Sequence, residues 1–341
     1  MRTLILKGSG GAGLGDKLWA VVVGIMYAKL TDRELIVDWR DTSYGDGTRN
    51  YFSDLFTLTN IQHSPSLPSE GDVHPQAWQG RLHRSLDEVV IEDQFPWSRA
   101  GGRSRYSFDQ SRLDYPARHL VMWEMDQFPD LRDHFVQRFT EYQGLQDEQI
   151  QARVFQQHLT PCDDVISRCA RFQEAHFVPG KMVGVHVRKT QECDANRPNP
   201  EVQRFVSETR RLMKSDRERR LFLACDNRAV IEIFQAAFGS ERVRVFPKWM
   251  PAAGMHMHMN RECPDQLQNV RDAIADAMLL GRCDWLISSR SSAFSWLGRM
   301  FSAASENRRA TLSPTLPWNW RFRSFVRSCL SSSVVGLLKR Q

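Results

Sequence analysis

Short apolar segments of strand length alternate with longer helical segments in two parts of the chain, and this alternation constrains its fold more than any other feature. In the first part, residues 3–7 and 34–38 have the composition of buried strands and flank a helical segment at 17–30. A strand, a helix and a strand in succession indicate a parallel β-α-β unit. Residues 40–118 are rich in Gly, Pro, Ser and Asp, which favours loops and short elements before a further strand predicted at 119–125.

The alternation returns after residues 177–180, FVPG, which have the composition of a domain boundary. Strands are predicted at 181–187, 220–226, 242–247 and 284–289, and helices at 200–214, 228–238, 265–281 and 292–304. Two α/β parts in tandem predict two Rossmann-like domains that face a cleft, one over 1–178 and one over 179–310, followed by a tail over 311–341. Ligands of such sheets bind at the carboxyl ends of the strands.

The composition argues against several classes of protein. No apolar run is long enough for a membrane-spanning helix, and the chain enters a strand at once without an export signal. The seven cysteines are odd in number and form no C-x-x-C pair, which favours reduced thiols and a cytoplasmic location. The net charge of +6 is dispersed among 40 acidic residues, which is typical of a solvated surface, so no nucleic-acid partner is expected.

The basic, partly apolar tail has two interpretations, a peripheral membrane contact or a helix docked on the N-terminal domain.

Five glycines follow the first strand and raise the question of a nucleotide-binding loop. Residues 8–13, GSGGAG, match G-x-G-x-x-G, and Asp38 ends the second predicted strand, so an NAD(P)- or FAD-dependent oxidoreductase is one alternative. The glycine run continues to Gly15 and Asp16, beyond the compact turn that places a pyrophosphate at a helix N-terminus, and the helix is predicted to begin after them. A kinase-type phosphate loop is not favoured, because no hydroxyl residue follows Lys17.

Charged and hydroxyl side chains follow three strands of the second part. They are Arg188 and Lys189 after 181–187, Asp226 and Asn227 at the end of 220–226, and Ser291 and Ser292 after 284–289. Two adjacent cations at a strand end favour a bound diphosphate, and a salt bridge to a nearby carboxylate is the alternative. Hydroxyl and backbone N–H groups at a helix N-terminus also bind anions. The three strand ends together predict a nucleotide pocket.

Four segments of the sequence resemble those of a known family. They are GLGDKLWAVVVGIMYAKLTDRELIVDW near the start, and GVHVRK, LFLACDN and DAMLLGRCDWLISSRSSAF in this order in the second part. The chain resembles, over about 3–40 and 180–300, the GT-B-fold fucosyltransferases that use GDP-fucose, above all the rhizobial nodulation-factor and the core α-1,6-fucosyltransferases. The resemblance implies a GT-B-like α/β fold with two Rossmann-like domains facing a cleft.

The resemblance also implies roles for individual residues. Arg188 matches the arginine that binds the donor β-phosphate, with His186 and Lys189 beside it. The other donor-binding residues implied are Asp226 and Asn227 near the nucleoside, Asp276, the hydroxyls of Ser291 and Ser292, and Gly13, Gly15 and Asp16 in the N-terminal loop that covers the donor. The acidic residue that serves as catalytic base is left open, because the segment after Arg188 departs from the family's pattern; Glu192 and Asp194 are the candidates.

The run Met255-His256-Met257-His258-Met259 has two interpretations, a metal site and a loop over the donor with His256 near the nucleotide. The second is favoured, because few other ligands lie at close spacing. No Asp-x-Asp triplet occurs, so neither a metal nor another cofactor is expected.

The function that follows is inverting, metal-independent transfer of fucose from GDP-fucose to a glycan or lipo-oligosaccharide acceptor. The alternatives are the oxidoreductase and a non-catalytic protein that binds a nucleotide sugar.

Overall fold

The computed structural model describes residues 1–8, 12–41, 43–95, 101–123, 128–188, 199–251, 260, 262–290, 292–302 and 308–312. The strands are β1 Thr3–Lys7, β2 Glu34–Asp38, β3 Phe56–Leu58, β4 Val73–His74, β5 His119–Met122, β6 Leu159–Pro161, β7 Met182–Val187, β8 Arg220–Cys225, β9 Val243–Arg244, β10 Trp285–Ser289 and β11 Arg309–Leu312. The α-helices are α1 Leu14–Thr31, α2 Leu86–Glu92, α3 Gly102–Tyr106, α4 Phe128–Arg138, α5 Asp147–His158, α6 Asp163–His176, α7 Pro200–Lys214, α8 Arg228–Phe238, α9 Gln266–Gly281 and α10 Ala293–Met300.

The first half of the chain forms a parallel sheet in the order β2-β1-β5-β4. Every residue of β1 is buried, as expected of a parallel strand covered on both faces. Helix α1 connects β1 to β2, so the predicted β-α-β unit is confirmed. Most of α1 is buried around its whole circumference, because other elements pack on it from several sides.

Helix α1 begins earlier than the sequence predicts. Its first residue is Leu14 and its N-cap is Gly13, so Gly15 and Asp16 lie in the first helical turn. The glycine at position 15 is needed for close packing rather than for a turn, because a Cβ there would collide with the backbone carbonyl of Ala293. The prediction that the helix begins after Asp16 is therefore wrong.

The second half forms a parallel sheet in the order β11-β10-β7-β8-β9. The four predicted strands are present, although β9 is limited to Val243–Arg244. The edge strand β11 was not predicted, and the boundary predicted at residue 310 falls inside it. The α/β class with parallel sheets is confirmed.

The two halves pack together through helices. Helix α10 of the second half lies against α1 and α5 of the first, where the rings of Trp19 and Trp296 stack with centroids 5.4 Å apart. Trp296 Nε1 donates a hydrogen bond to Gln151 Oε1 (2.9 Å), and Arg299 Nε donates to Glu148 Oε2 (2.8 Å). One hydrophobic cluster contains residues of both halves. No helix in the described part of the chain is long and apolar enough to cross a membrane.

Candidate active site

A cleft of about 950 Å³, including its mouth, lies between the two halves. Its lining comes from both: Gly13, Leu14, Gly15, Asp16, Ser43 and Tyr44 from the first, and His186, Arg188, Cys225, Asp226, Lys248, Asn260, Gln266, Asn269, Val270, Ala273, Asp276, Ala293 and Phe294 from the second. The position agrees with the rule that ligands of parallel α/β sheets bind beyond the carboxyl ends of the strands.

Strand β7, at the centre of the second sheet, and the residue that follows it supply two of the predicted residues. His186 is buried, and its Nδ1 lies 2.6 Å from Ser295 Oγ. Burial, with Arg188 and Lys248 nearby, lowers the pKa of His186 to about 3, so the imidazole is neutral at physiological pH. It therefore contributes hydrogen bonds to the cleft without adding charge.

Arg188 follows the last residue of β7 and is exposed in the cleft. No carboxylate of the described residues forms an ion pair with it, so within this part of the chain the alternative of a structural salt bridge finds no partner. Its positive charge does act on Asp16 across the cleft, where it works to lower the pKa of that carboxyl. The guanidinium is thus available to an anion.

Asp276 forms a buried ion pair with Lys248 on the second-half side of the cleft. Asp276 lies on α9, and Lys248 lies in the segment after β9. Desolvation raises the pKa of Asp276 to about 6 although Lys248 opposes this change. Desolvation lowers the pKa of Lys248, but the charges of Asp276, Cys225 and Asp226 and the hydrogen bond to Asp276 together outweigh it and leave that pKa above its usual value. Asp276 Oδ1 is buried and accepts no hydrogen bond from a described residue, so it can accept one from a ligand.

The first-half side of the cleft is formed by the start of α1 and the segment after β2. Asp16 is half-buried, and its carboxylate accepts a hydrogen bond from the backbone N–H of Gly13. Tyr44 is 6% exposed, and its hydroxyl has no hydrogen-bond partner among the described residues. Lys17 is not among the residues that line the cleft; it forms a buried ion pair with Asp41 (2.7 Å).

Two of the predicted donor-binding residues do not line the cleft. Asn227 is the N-cap of α8 and accepts from the N–H of Ala229 (2.8 Å), and Ser292 is the N-cap of α10 and accepts from the N–H of Ser295 (3.4 Å). Both side chains are buried, and these bonds satisfy helix N-termini. Lys189, Glu192, Asp194, His256 and Ser291 lie outside the described residues.

The structure therefore brings together seven of the predicted site residues: Gly13, Gly15, Asp16, His186, Arg188, Asp226 and Asp276. Sequence reasoning missed Lys248 and Tyr44. Lys248 could have been found by the strand-end rule, because it follows the predicted strand 242–247 directly. Tyr44 carries no comparable signal, because it lies in a segment without a strand or helix.

Among the described residues, Asp38 and Gly15 do not have the setting that a dinucleotide site requires. Asp38, the acidic residue of the fingerprint, forms an ion pair with Lys7 (2.6 Å), and both side chains are 1% exposed. A carboxylate enclosed in this way cannot reach a ribose hydroxyl. Gly15 packs against α10 rather than leaving space for a pyrophosphate.

Two α/β halves with a shared cleft define a GT-B-like fold, and comparisons with known proteins agree with this. The chain matches no family model. It is 24% identical over 318 residues to Nodulation protein Z of Bradyrhizobium diazoefficiens, with 85% of this chain and 77% of the relative covered. It is 26% identical over 313 residues to Nodulation protein Z of Azorhizobium caulinodans, with 83% and 84% covered.

The structure is also similar to that of the fucosyltransferase NodZ from Bradyrhizobium, with a TM-score of 0.60, 18% identity, and 89% and 94% of the two chains covered. Structures of the NodZ α-1,6-fucosyltransferase soaked with GDP-fucose or co-crystallised with GDP match over the same share of this chain. The resemblance predicted from the sequence motifs and the GT-B-like fold are thereby confirmed.

Proposed function

We propose that this protein is an inverting fucosyltransferase that moves fucose from GDP-fucose to a hydroxyl group of a glycan or lipo-oligosaccharide, without a metal ion. The observation that carries the proposal is the position of Arg188. It follows the central strand of the second sheet, lies in a cleft between two α/β halves and has no described carboxylate partner. A guanidinium in this setting is suited to a diphosphate, because its planar donors match phosphate oxygens. The likeness to the NodZ structures soaked with GDP-fucose and co-crystallised with GDP supports the choice of a nucleotide sugar as the ligand.

Asp276 supports a guanine base in the donor. Its buried Oδ1 is an acceptor without a described donor, while its other oxygen is held by Lys248. Guanine presents a ring N–H and an exocyclic amino group, either of which can donate to this oxygen, and the likeness to the NodZ structure co-crystallised with GDP supports guanine over other bases that carry a donor. The diphosphate then lies on Arg188 and the base lies toward α9.

The chemistry assigned to the cleft is stabilisation of the departing nucleotide. Negative charge grows on the β-phosphate as the bond to the sugar breaks, and Arg188 is positioned to stabilise that charge. His186, neutral beside it, supplies a hydrogen-bonding group whose position is fixed by Ser295. The cationic side chain thus takes the role that a metal ion has in metal-dependent transferases.

The acceptor binds on the first-half side of the cleft, opposite Arg188, where Asp16 and Tyr44 lie. The choice of a glycan or lipo-oligosaccharide acceptor follows from the resemblance of the sequence motifs to those of nodulation-factor fucosyltransferases. A cytoplasmic location and peripheral membrane contact through the tail remain part of this proposal, since acceptors with lipid chains lie at membranes.

Two measurements test the proposed function. Calorimetric titration with GDP, ADP, UDP and NAD is expected to show that GDP binds best; preferential binding of NAD would favour the oxidoreductase. Incubation with GDP-fucose and oligosaccharide acceptors in excess EDTA is expected to release GDP and give a fucosylated product. Binding of GDP with no transfer to any acceptor would indicate a non-catalytic binding protein, and activity that requires added manganese would contradict the metal-independent mechanism.

A further inference from the structure

Transfer of a sugar to a hydroxyl group is assisted by a base that takes the hydroxyl proton, and this base has to lie on the acceptor side of the cleft. Asp16 meets this geometric requirement. It lies in the first turn of α1 and lines the cleft from the first half, whereas Arg188 lines the cleft from the second half. The leaving nucleotide and the proton acceptor would therefore lie on opposite sides of the sugar.

A second observation on the same side points to a bound hydroxyl. The Tyr44 side chain is 94% buried and lines the cleft, yet its hydroxyl has no hydrogen-bond partner among the described residues. Burial of an unpaired hydroxyl is costly, so a ligand hydroxyl is its expected partner. Asp16 is near enough to act electrostatically on Tyr44, so one acceptor hydroxyl can be shared by the two.

We propose that Asp16 is the catalytic base for the acceptor hydroxyl and that Tyr44 positions that hydroxyl by a hydrogen bond. This inference rests on the proposed function. The carboxylate takes the proton as the O–H bond breaks, and the acceptor oxygen forms its bond to the anomeric carbon. The bond from that carbon to the β-phosphate oxygen breaks, and its electron pair leaves with GDP beside Arg188. The proton on Asp16 then returns to solvent.

The local structure allows this role. One part of the carboxylate is fixed by the N–H of Gly13, which holds the side chain in place. Burial raises the pKa of Asp16, while the Gly13 hydrogen bond and Arg188 oppose the change. A raised pKa makes the carboxylate a stronger base than an exposed aspartate. The ordinary alternative, a first-turn acid that only stabilises the helix N-terminus, accounts for the Gly13 contact but not for the position beside the unpaired Tyr44 hydroxyl.

Other ionisable groups share the cleft and have to be separated from Asp16 in any measurement. They are Arg188, His186, Cys225, Asp226, Lys248 and Asp276 on the second half and Tyr44 on the first, with the buried Lys17–Asp41 pair beside the Tyr44 ring. Titration of Asp276 would act on the binding of the donor. The pH dependence of a rate measured at saturating GDP-fucose is therefore free of the effect that Asp276 has on donor binding.

The decisive variant is Asp16→Asn, because the amide oxygen can still accept the hydrogen bond from Gly13 while basicity is lost. With wild-type transfer established, we expect GDP affinity to stay within about threefold and kcat at saturating donor to fall by about 10²–10⁴. The wild-type kcat should decline on acidification, because protonation removes the base, and the residual activity of Asp16→Asn should lack this decline. Asp32→Asn, at the exposed opposite end of α1, is the matched control and should match the wild type.

Two further variants keep the inference falsifiable if Asp16→Asn folds poorly. Asp16→Glu retains a base and should keep part of kcat together with the acid decline. Tyr44→Phe should raise KM for the acceptor without changing GDP affinity. The inference is overturned if folded Asp16→Asn keeps a kcat within about fivefold of wild type, below the range of general-base effects, or keeps the same acid decline. The inference is also overturned if Glu192→Gln or Asp194→Asn abolishes transfer while Asp16→Asn remains active. Absence of transfer by the wild type would contradict the proposed function itself, which is a different outcome.

Discussion

At the scale of single residues, the cleft is organised by where charge is paired and where it is not. Lys17 and Lys248 are buried against Asp41 and Asp276, so their charges are already balanced. Arg188 has no such partner among the described residues and is exposed. A ligand anion therefore finds one cation that is not engaged by a described carboxylate, in a region where the neighbouring cations are satisfied.

Substitution of Arg188 is expected to have the largest effect on activity among the second-half residues. Arg188→Ala should reduce kcat by about 10²–10³ and weaken GDP binding, because the guanidinium contacts the phosphate in the ground state and more strongly as charge develops. Arg188→Lys should recover part of the loss, because it keeps the charge without the planar fork. Steady-state kinetics with circular dichroism provide the measurement.

The matched control is Arg211→Ala, because Arg211 is exposed and pairs with Glu208 on α7, outside the cleft. This variant should have wild-type kinetics. A folded Arg188→Ala protein with near-normal turnover would contradict the assignment of Arg188 to the donor site.

Asp276 should make GDP binding depend on pH. Its pKa in the folded protein is about 6, so the carboxylate is ionised at pH 8 and gains a proton as the pH falls below 6. Protonation removes an acceptor that the base requires, so the Kd for GDP should rise by up to about tenfold per pH unit below this value. Calorimetric titration between pH 5 and 8 measures the effect. Asp276→Asn should bind GDP more weakly, and its Kd should depend less on pH. A wild-type Kd independent of pH over this range would contradict the assignment.

At the scale of elements, the first turn of helix α1 both packs against the second half and lines the cleft. Its buried surface joins the first sheet to α10, while its N-terminal residues line the cleft. Gly15 makes both possible, because the absence of a side chain lets the backbone of Ala293 approach. The position of the site is thus coupled to the packing of two helices from different halves.

Gly15→Ala is therefore expected to lower the free energy of unfolding by about 1–3 kcal/mol, as in other overpacked sites, and to reduce transfer activity. The control is Gly298→Ala on α10, where a Cβ would have its nearest neighbours at 3.4 Å and no strain. That change should be neutral or stabilise by up to about 1 kcal/mol, because alanine favours helix. Urea unfolding of both variants measures the difference; equal stability of the two would show that the close approach is not significant.

At the scale of the whole molecule, contacts between the two halves fix the position of one half relative to the other. Trp296 stacks on Trp19 and donates to Gln151, and Arg299 pairs with Glu148. Because these contacts come from α1, α5 and α10, they hold the carboxyl ends of the two sheets on opposite sides of one cleft.

Trp296→Ala should destabilise the protein by about 3–5 kcal/mol, because it leaves a cavity at this interface and removes the hydrogen bond to Gln151. Urea unfolding followed by fluorescence and by circular dichroism measures the loss. We expect both signals to change in one transition in the wild type and in separate transitions in the variant, since the halves lose the stacking on Trp19 and the hydrogen bond to Gln151. Coincident transitions with a loss below about 1 kcal/mol, well short of a buried-Trp truncation, would show that other contacts hold the halves together.

The sequence by itself determined the elements and the candidate strand ends. Buried apolar runs and helical spacing are local properties, so β1, α1 and β7 could be located from them. The strand-end rule placed His186 and Arg188 in a ligand site because parallel strands end at a common edge. Similarity of motifs at comparable spacing indicated the GT-B-like fold.

Only the tertiary structure decided how distant residues pair. Asp276 meets Lys248, and Asp16 lies near Tyr44, across separations in the chain that no local pattern encodes. The same is true of Asp38, whose place at a strand end suggested a dinucleotide until its burial against Lys7 was seen. The physical reason is that the charge state and accessibility of a side chain depend on desolvation and on partners, and packing of the whole chain sets both.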